Sequence, residues 1–396
     1  MEPENFNGKA GKVYIPSGVS YFVFEPHTLP LNLSNMDFET ASLLGEANRE
    51  LGRLDGLGHK FENPYLMLSP YLKKEAVSST RIEGTRSSLS EILKYESESP
   101  NETRSPDIQD VFNYVKAMDH GVNSINENAD INLDLILTLH KTLLVKTRGE
   151  DKEPGKIRTR QNWIGSPTSD YHNASFVPPE PSAVPSLMQN LLEYMSSDSK
   201  LPTLVSASLI HYQFETIHPF RDGNGRLGRI LIPLYLMKKK TMSLPLLYMS
   251  PYFEKNDKVY RGLLLDVNQN GNYSDWIKFF LKGVISQSQV TYLKMMNLFK
   301  YRADCEEKVN QIGNSNSLII LKHLFENPFI SVPKACKLLG KTFPTAKRSV
   351  GVLVELGILT EITGQKRNRE YYASKILNCI ESDESSCSTS TEPNKK

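Results

Sequence analysis

A histidine, a carboxylate, an amide, closely spaced glycines and three arginines fall within one short stretch, Thr216-Ile-His-Pro-Phe-Arg-Asp-Gly-Asn-Gly-Arg-Leu-Gly-Arg229. Glycines let backbone N–H groups approach an anion closely. The stretch also opens a helix, whose N-terminus adds the positive end of the dipole, so the loop suits a polyphosphate. Arg226 and Arg229 stand about one turn apart, so both can offer forked donors to the same group. Asp222 suits Mg²⁺, which usually sits on one or two carboxylates plus substrate phosphates. His218 is the side chain in the loop able to accept a proton near neutral pH.

Two other readings of these residues fail on their surroundings. Gly223-Asn-Gly-Arg-Leu-Gly228 matches the dinucleotide string G-x-G-x-x-G, but that fingerprint follows an apolar strand, and here a helix and a His-Pro turn precede it. His211, Glu215 and His218 share a helical face, but not in the order of a zinc protease. His211 and Glu215 read instead as polar residues that brace the loop. A second stretch, Ser79-Thr-Arg-Ile-Glu-Gly84, places Ser79 and Glu83 on one helix face. Glu83 lies in the last turn, where the dipole disfavours a carboxylate, so it is either an ordinary exposed glutamate or one with a cationic partner elsewhere.

The elements that must position these groups are mostly helical. Apolar residues at helical spacing run over 37–54, 70–84, 107–123, 132–144, 184–195, 204–217, 226–239, 252–267 and 273–298. Residues 1–35 lack that period and read as an extended arm. Over 155–181, Ile157, Trp163, Ile164, Phe176 and Val177 sit among Gly, Pro, Asn and Ser, which predicts a β-hairpin with a long tip. The polar stretch 301–316 is a candidate linker. Beyond it, helices over 317–325, 332–339 and 344–356, an extended stretch at 358–362 and a basic loop at 364–369 form a winged helix-turn-helix pattern. From Lys334 to Lys375 nine basic residues face three acidic ones. The third helix begins Pro344-Thr-Ala-Lys-Arg348, which places basic and hydroxyl groups where a major groove would be read. The partner of this module is open between DNA and protein.

Composition sets the outer limits. A chain of 396 residues exceeds one compact core and predicts two or three domains. Apolar residues at 39% and charged residues at 23% exclude a wholly disordered chain. The net charge of +2 means that any nucleic-acid affinity must come from a local patch. No basic and then apolar leader opens the chain, and the longest apolar run, 230–237, is far short of the ~20 residues of a membrane span. Four cysteines without a C-x-x-C pair argue against a disulfide scaffold or zinc site and fit a reducing cytoplasm.

His218-Pro-Phe-Arg-Asp-Gly-Asn-Gly-Arg-Leu-Gly-Arg229 resembles the H-x-F-x-[DE]-G-N-G-R-x-x-R signature of Fic-domain protein adenylyltransferases. Gln161-Asn-Trp-Ile-Gly165 with Phe176-Val-Pro-Pro-Glu-Pro181 resembles that family's flap hairpin, and Leu246-Leu-Tyr-Met-Ser-Pro-Tyr252 the segment after its catalytic helix. The resemblance covers roughly residues 35–300. It implies a mainly α fold, a Fic-type helical bundle with a β-hairpin flap, followed by the winged helix-turn-helix. The expected divisions are 1–120 for an arm and helices carrying an inhibitory helix, 121–300 for the catalytic domain, 301–316 for the linker, 317–380 for the winged helix and 381–396 for a disordered tail.

The resemblance further implies transfer of AMP from ATP to Tyr, Thr or Ser hydroxyls of target proteins and of the chain itself. In that scheme His218 deprotonates the hydroxyl and Asp222 holds Mg²⁺. Gly223, Asn224, Gly225, Arg226 and Arg229 bind the ATP phosphates, and Gly225 stands where phosphoryl-transferring relatives carry Lys. Ile164 and Gly165 lie on the flap, against the nucleotide and the target's backbone. Tyr260 and Asn268 are the expected neighbours of adenine. Ser79 and Glu83 match the family's inhibitory motif, in which the glutamate pairs with the second arginine, Arg229, and blocks the γ-phosphate. In some relatives that glutamate also supports AMP removal. Many relatives form homodimers. The rival reading is a DNA-binding transcriptional regulator whose Fic domain only senses nucleotide.

Overall fold

The computed structural model describes residues 1–31, 36–59, 64–97, 105–165, 168–365 and 369–381. It is mainly helical. In chain order the strands and helices begin with β1 (Gly11–Tyr14), β2 (Val23–Pro26), α1 (Phe38–Gly58), α2 (Pro64–Ile82), α3 (Leu89–Ser97), α4 (Pro106–Asn126), α5 (Leu133–Leu144) and α6 (Val184–Ser196). Then come α7 (Thr203–Ile217), α8 (Asn224–Lys238), α9 (Ser250–Lys255), α10 (Asp257–Asn270) and α11 (Tyr273–Ile312). The chain closes with α12 (Ser315–Leu324), β3 (Phe329–Ser331), α13 (Val332–Leu339), α14 (Phe343–Glu355), β4 (Thr360–Glu361), β5 (Glu370–Tyr372) and α15 (Ser374–Glu381). It divides into two compact units. One comprises Met1–Gly56, Ser78–Thr85 and Ser105–Ser288, and the other Leu57–Val77, Arg86–Arg104 and Gln289–Lys396.

In the first unit, α7 and α8 form the core. Every α7 residue from Leu204 to Ile217 except Glu215 is buried, as are Asn224 and Arg226 through Met237 of α8. Helices apolar all round belong in the middle of a bundle, and α4, α5 and α6 pack around this pair. Close approach is built in: a Cβ on Gly121 of α4 would collide with Leu234 of α8. The Trp276 indole of α11 donates to Ser208 O of α7 at 2.9 Å, satisfying its buried N–H.

The N-terminal arm is more ordered than its composition predicts. β1 and β2 pair antiparallel, from Gly11 opposite Pro26 to Tyr14 opposite Val23, and the amide of Phe24 donates to Val177 O at 2.9 Å. The segment 155–181 is less regular than expected: its pairing among the described residues is one antiparallel bridge between Ile164 and Phe176. The stretch predicted as one helix over 252–267 is two, α9 and α10, separated at Asn256. The polar stretch 301–316 is not extended, because α11 runs through it to Ile312. Its polar residues keep helical spacing about Cys305 and Val309, which are buried.

In the second unit, α12, α13 and α14 pack on one another, and β3, β5 and β4 form an antiparallel sheet with β5 in the centre. β3 is an addition to the sequence reading. Pro at the second position of α13 and Ser331 capping the Lys334 amide start that helix, and Gly340 in the left-handed region ends it. Part of the basic loop, 366–368, and the expected tail from 382 onward lie outside the described residues. Cys305 and Cys336 are free thiols. Among the described residues no helix is long and apolar enough to cross a membrane.

Candidate active site

The loop between α7 and α8 is built by its own backbone demands. His218 ends α7 at φ 49°, ψ 59°, a left-handed conformation that non-glycine residues seldom adopt. Gly223 precedes α8 at φ 78°, where glycine bears no penalty. Between them the Asn224 side chain accepts from Phe220 N at 2.9 Å and donates to Phe220 O at 2.8 Å, locking the loop's centre. His140 of α5 adds a contact from Nε2 to Asp222 O at 2.9 Å and stacks on Phe220. The first amides of α8 have no intrahelical acceptor, which leaves a donor cluster at the positive end of a fifteen-residue helix.

A cleft of about 590 Å³ opens beside this loop in the first unit. His218, Gly225 and Arg229 line it, as do Glu83, Ile164 and Gly165, and Tyr260 and Asn268. The structure therefore brings together eight residues that the sequence singles out, from four separate segments. Asp222, Gly223, Asn224, Arg226 and Ser79 are not among the lining residues. Tyr260 bonds His211 Nε2 through its hydroxyl at 2.8 Å, and Asn268 Oδ1 accepts from Tyr212 at 2.7 Å, so both are fixed from behind.

His218 is set to act as a neutral imidazole. Burial lowers its pKa to about 4, and the Arg158 guanidinium adds to the fall. Its Nδ1 lies 3.2 Å from Glu215 O, within donating reach of a group that can only accept, which leaves Nε2 as the free nitrogen in that tautomer. Glu215 itself is pushed up to about 7 by burial, against the pull of Arg229, and its Oε1 is buried without a partner among the described residues.

The two signature arginines have different surroundings. Arg229, its side chain 1% exposed, donates from Nε to Ser79 Oγ at 2.8 Å, and from Nη2 to Ser79 O at 2.9 Å and Glu83 Oε1 at 2.7 Å. Glu83 keeps 35% of its side chain exposed. Burial of its carboxyl opposes ionisation, but Arg229, with Arg226 and Arg261 behind it, outweighs that and holds the pKa below its ordinary value. A Cβ on Gly225 would meet Glu83 Oε1 and the Arg229 guanidinium, so either side-chain end would have to shift to admit one. Arg226 is paired elsewhere, to Asp110 of α4 at 2.5 Å and to Asp222 Oδ1 at 3.3 Å. Burial raises Asp110 more than Arg226 lowers it. The side chains of Asn224 and Arg226 are thus committed to protein partners, an arrangement that spacing alone did not disclose.

Asp222 Oδ1 takes the Gly223 amide and Arg226, whereas Oδ2 accepts no hydrogen bond among the described residues, and 41% of the side chain is exposed. No group of three or more His, Cys, Asp or Glu side chains that could hold a metal occurs among the described residues. One free carboxylate oxygen fits an ion that shares its shell with substrate phosphates and water. Sequence reasoning missed Asp110 and Arg158, both buried charges on elements remote from the signature. Arg158 is detectable in sequence only as a cation within an otherwise polar hairpin.

The Fic/DOC family N-terminal model matches residues 41–123, and the Fic/DOC family model matches residues 130–236. Protein adenylyltransferase fic-1 of Caenorhabditis elegans is 30% identical over 134 residues, 32% of this chain and 24% of the relative. A probable protein adenylyltransferase of Aquifex aeolicus is 25% identical over 191 residues, 48% of this chain and 54% of the relative. Protein adenylyltransferase Fic of Drosophila melanogaster is 33% identical over 135 residues, 33% of this chain and 25% of the relative. The chain therefore spans about a quarter to a half of the length of these relatives. A crystal structure of a Fic family protein from Desulfovibrio desulfuricans G20 shares the fold at a TM-score of 0.54 and 20% identity, over 86% of this chain and 97% of that one.

Proposed function

The chain belongs to the Fic/DOC family, and on that footing we propose that it is a protein adenylyltransferase held in check by Glu83. The observation that carries this reading is the cleft where His218, the Gly225 end of α8 and the Glu83–Arg229 pair meet. In the proposed reaction a target Tyr, Thr or Ser hydroxyl oxygen attacks the α-phosphorus of ATP. The new phosphoester forms as the bond to the β-phosphate bridging oxygen breaks, and pyrophosphate leaves. His218 Nε2 takes the hydroxyl proton, a role suited to an imidazole that burial keeps neutral. The amides of Asn224, Gly225 and Arg226 hold phosphate oxygens at the helix N-terminus. Arg226 positions Asp222, whose free carboxylate oxygen would hold Mg²⁺, and the ion would neutralise charge on the phosphates. Tyr260 and Asn268 flank the adenine, and an extended target segment adds as a strand beside Ile164, a reading that the Ile164–Phe176 bridge supports.

Glu83 supplies the check. Paired to Arg229, it places a carboxylate where that arginine would otherwise meet the γ-phosphate, and Ser79 anchors the same guanidinium from the preceding turn. Three helices and an antiparallel sheet support a winged helix-turn-helix reading of residues 317–380, whose basic surface suits DNA. Binding that weakens steeply with salt, by about 0.9 log units per log unit for each neutralised phosphate, would support that function. The adenylyltransferase reading is tested by incubating the Glu83→Gly protein with Mg²⁺ and α-labelled ATP. Protein-bound label is expected, and none when His218→Ala is added. Undiminished labelling in the double variant would remove His218 from the mechanism.

A further inference from the structure

We propose that Arg158 is a positioning residue that fixes His218 and the root of segment 155–181 in one frame, so that the base and the target-binding strand keep their register. This rests on the reading of His218 as the base. The Arg158 Nε donates to His218 O at 2.9 Å. Its Nη2 reaches Pro179 O at 2.5 Å and Ile217 O at 3.4 Å, and its amide donates to Pro219 O at 2.9 Å. One residue thus grips three consecutive residues at the end of α7 and the return limb that follows the Ile164–Phe176 bridge. Gln161 and Asn162 continue the bracket, donating to Pro178 O at 2.9 Å and to Phe220 O at 3.0 Å.

Two observations argue that this is more than a fastening. Arg158 is 1% exposed, yet its Nη1 has no partner among the described residues. A buried guanidinium with an unmade bond is a poor choice for stability, since apolar packing fills such a space as well or better. The residue it holds is also the one in an uncommon conformation: His218 sits left-handed, and strain of that kind persists only where surrounding contacts enforce it. The placement suits a cation, because the last carbonyls of α7 carry the negative end of its dipole. The charged and polar groups that act on the imidazole are Arg158, Glu83, Asp222 and the Glu215 carbonyl, and Arg158 leads the side-chain charges in disfavouring the imidazolium.

The test compares Arg158→Met and Arg158→Lys in the full chain carrying Glu83→Gly, with metal-free ¹⁵N-histidine spectra beside label-transfer kinetics. A displacement of the base by about 1 Å costs on the order of 10²-fold in turnover. Arg158→Met should lower kcat by about that factor with KM for ATP within about twofold, and should raise the pH at which His218 titrates. Arg158→Lys, which is the safer variant for folding, keeps the charge and loses the fork. It should restore the titration but only part of kcat. Unchanged kcat in both variants, or lowered kcat with an unmoved His218 titration, would overturn the proposal. The spectra stand apart from activity, so they report on Arg158 even if His218→Ala shows that His218 is not the base.

Discussion

Replacing Glu83 by glycine should release the cleft, and the size of the effect follows from the contact. Glu83 Oε1 meets Arg229 Nη2 at 2.7 Å, a charge-assisted bond of the kind that contributes roughly 1.5–3 kcal/mol net. Since 35% of the Glu83 side chain is exposed, solvent screening reduces that to about 1–2 kcal/mol. At about 1.4 kcal/mol per factor of ten, freeing Arg229 for phosphate should raise labelling about 5- to 30-fold. Arg229 should stay in place, because Ser79 still accepts from Nε and Nη2. Glu83→Gln keeps the shape without the charge and should give an intermediate gain. The assay is the initial rate of α-labelled ATP incorporation at saturating Mg²⁺, beside thermal unfolding as a check on folding. Unchanged rates in both variants would refute the inhibitory role.

The pH behaviour of that contact has a definite sign. Its folded pKa lies below the ordinary 4.5, so the stability it contributes is complete above about 4.5 and is lost only as pH falls through the lowered value. The ratio of Glu83→Gly to native labelling should therefore stay constant between about pH 5.5 and 8, and a ratio collapsing within that range would contradict it. With His218 lowered to about 4, transfer should show no acid limb near 6.5 and should fall only as pH approaches about 4. Asp110→Asn breaks a buried ion pair and should cost about 3 kcal/mol in urea unfolding. Chelation of Mg²⁺ should stop labelling, and Asp222→Asn should raise the Mg²⁺ concentration needed for half-maximal rate.

The chemistry of the α7–α8 loop was legible in sequence because its parts are local. His218, Asp222 and the glycines stand within a dozen residues, and a helix start is a local event. Glu83 was legible only as a carboxylate set against its own helix dipole; its partner lies 146 residues away and becomes visible only on folding. Asp110 carried no local signal and Arg158 only that of a cation in a polar hairpin, because a buried charge looks like a surface charge until its partners are known. The same holds for Arg226, whose spacing from Arg229 suggests a shared ligand while folding directs it to Asp110. At the level of elements, helical periodicity located α4 through α8 within a few residues. The β1–β2 pair was missed because four-residue strands leave too short a pattern, and the helix over 301–312 because a polar helix held by a few contacts reads like a linker.

In the proposed reaction AMP, and not a phosphoryl group, leaves ATP for a protein hydroxyl under the control of His218 and Glu83. Its most direct test is intact-mass and label analysis of the Glu83→Gly chain after parallel incubation with Mg²⁺ and ATP labelled at either the α- or the γ-phosphate. One AMP should be added per modified hydroxyl, with α-label retained, γ-label absent, and neither in the His218→Ala double variant. Covalent γ-label on the protein, or no adduct on the chain or on added proteins, would contradict it.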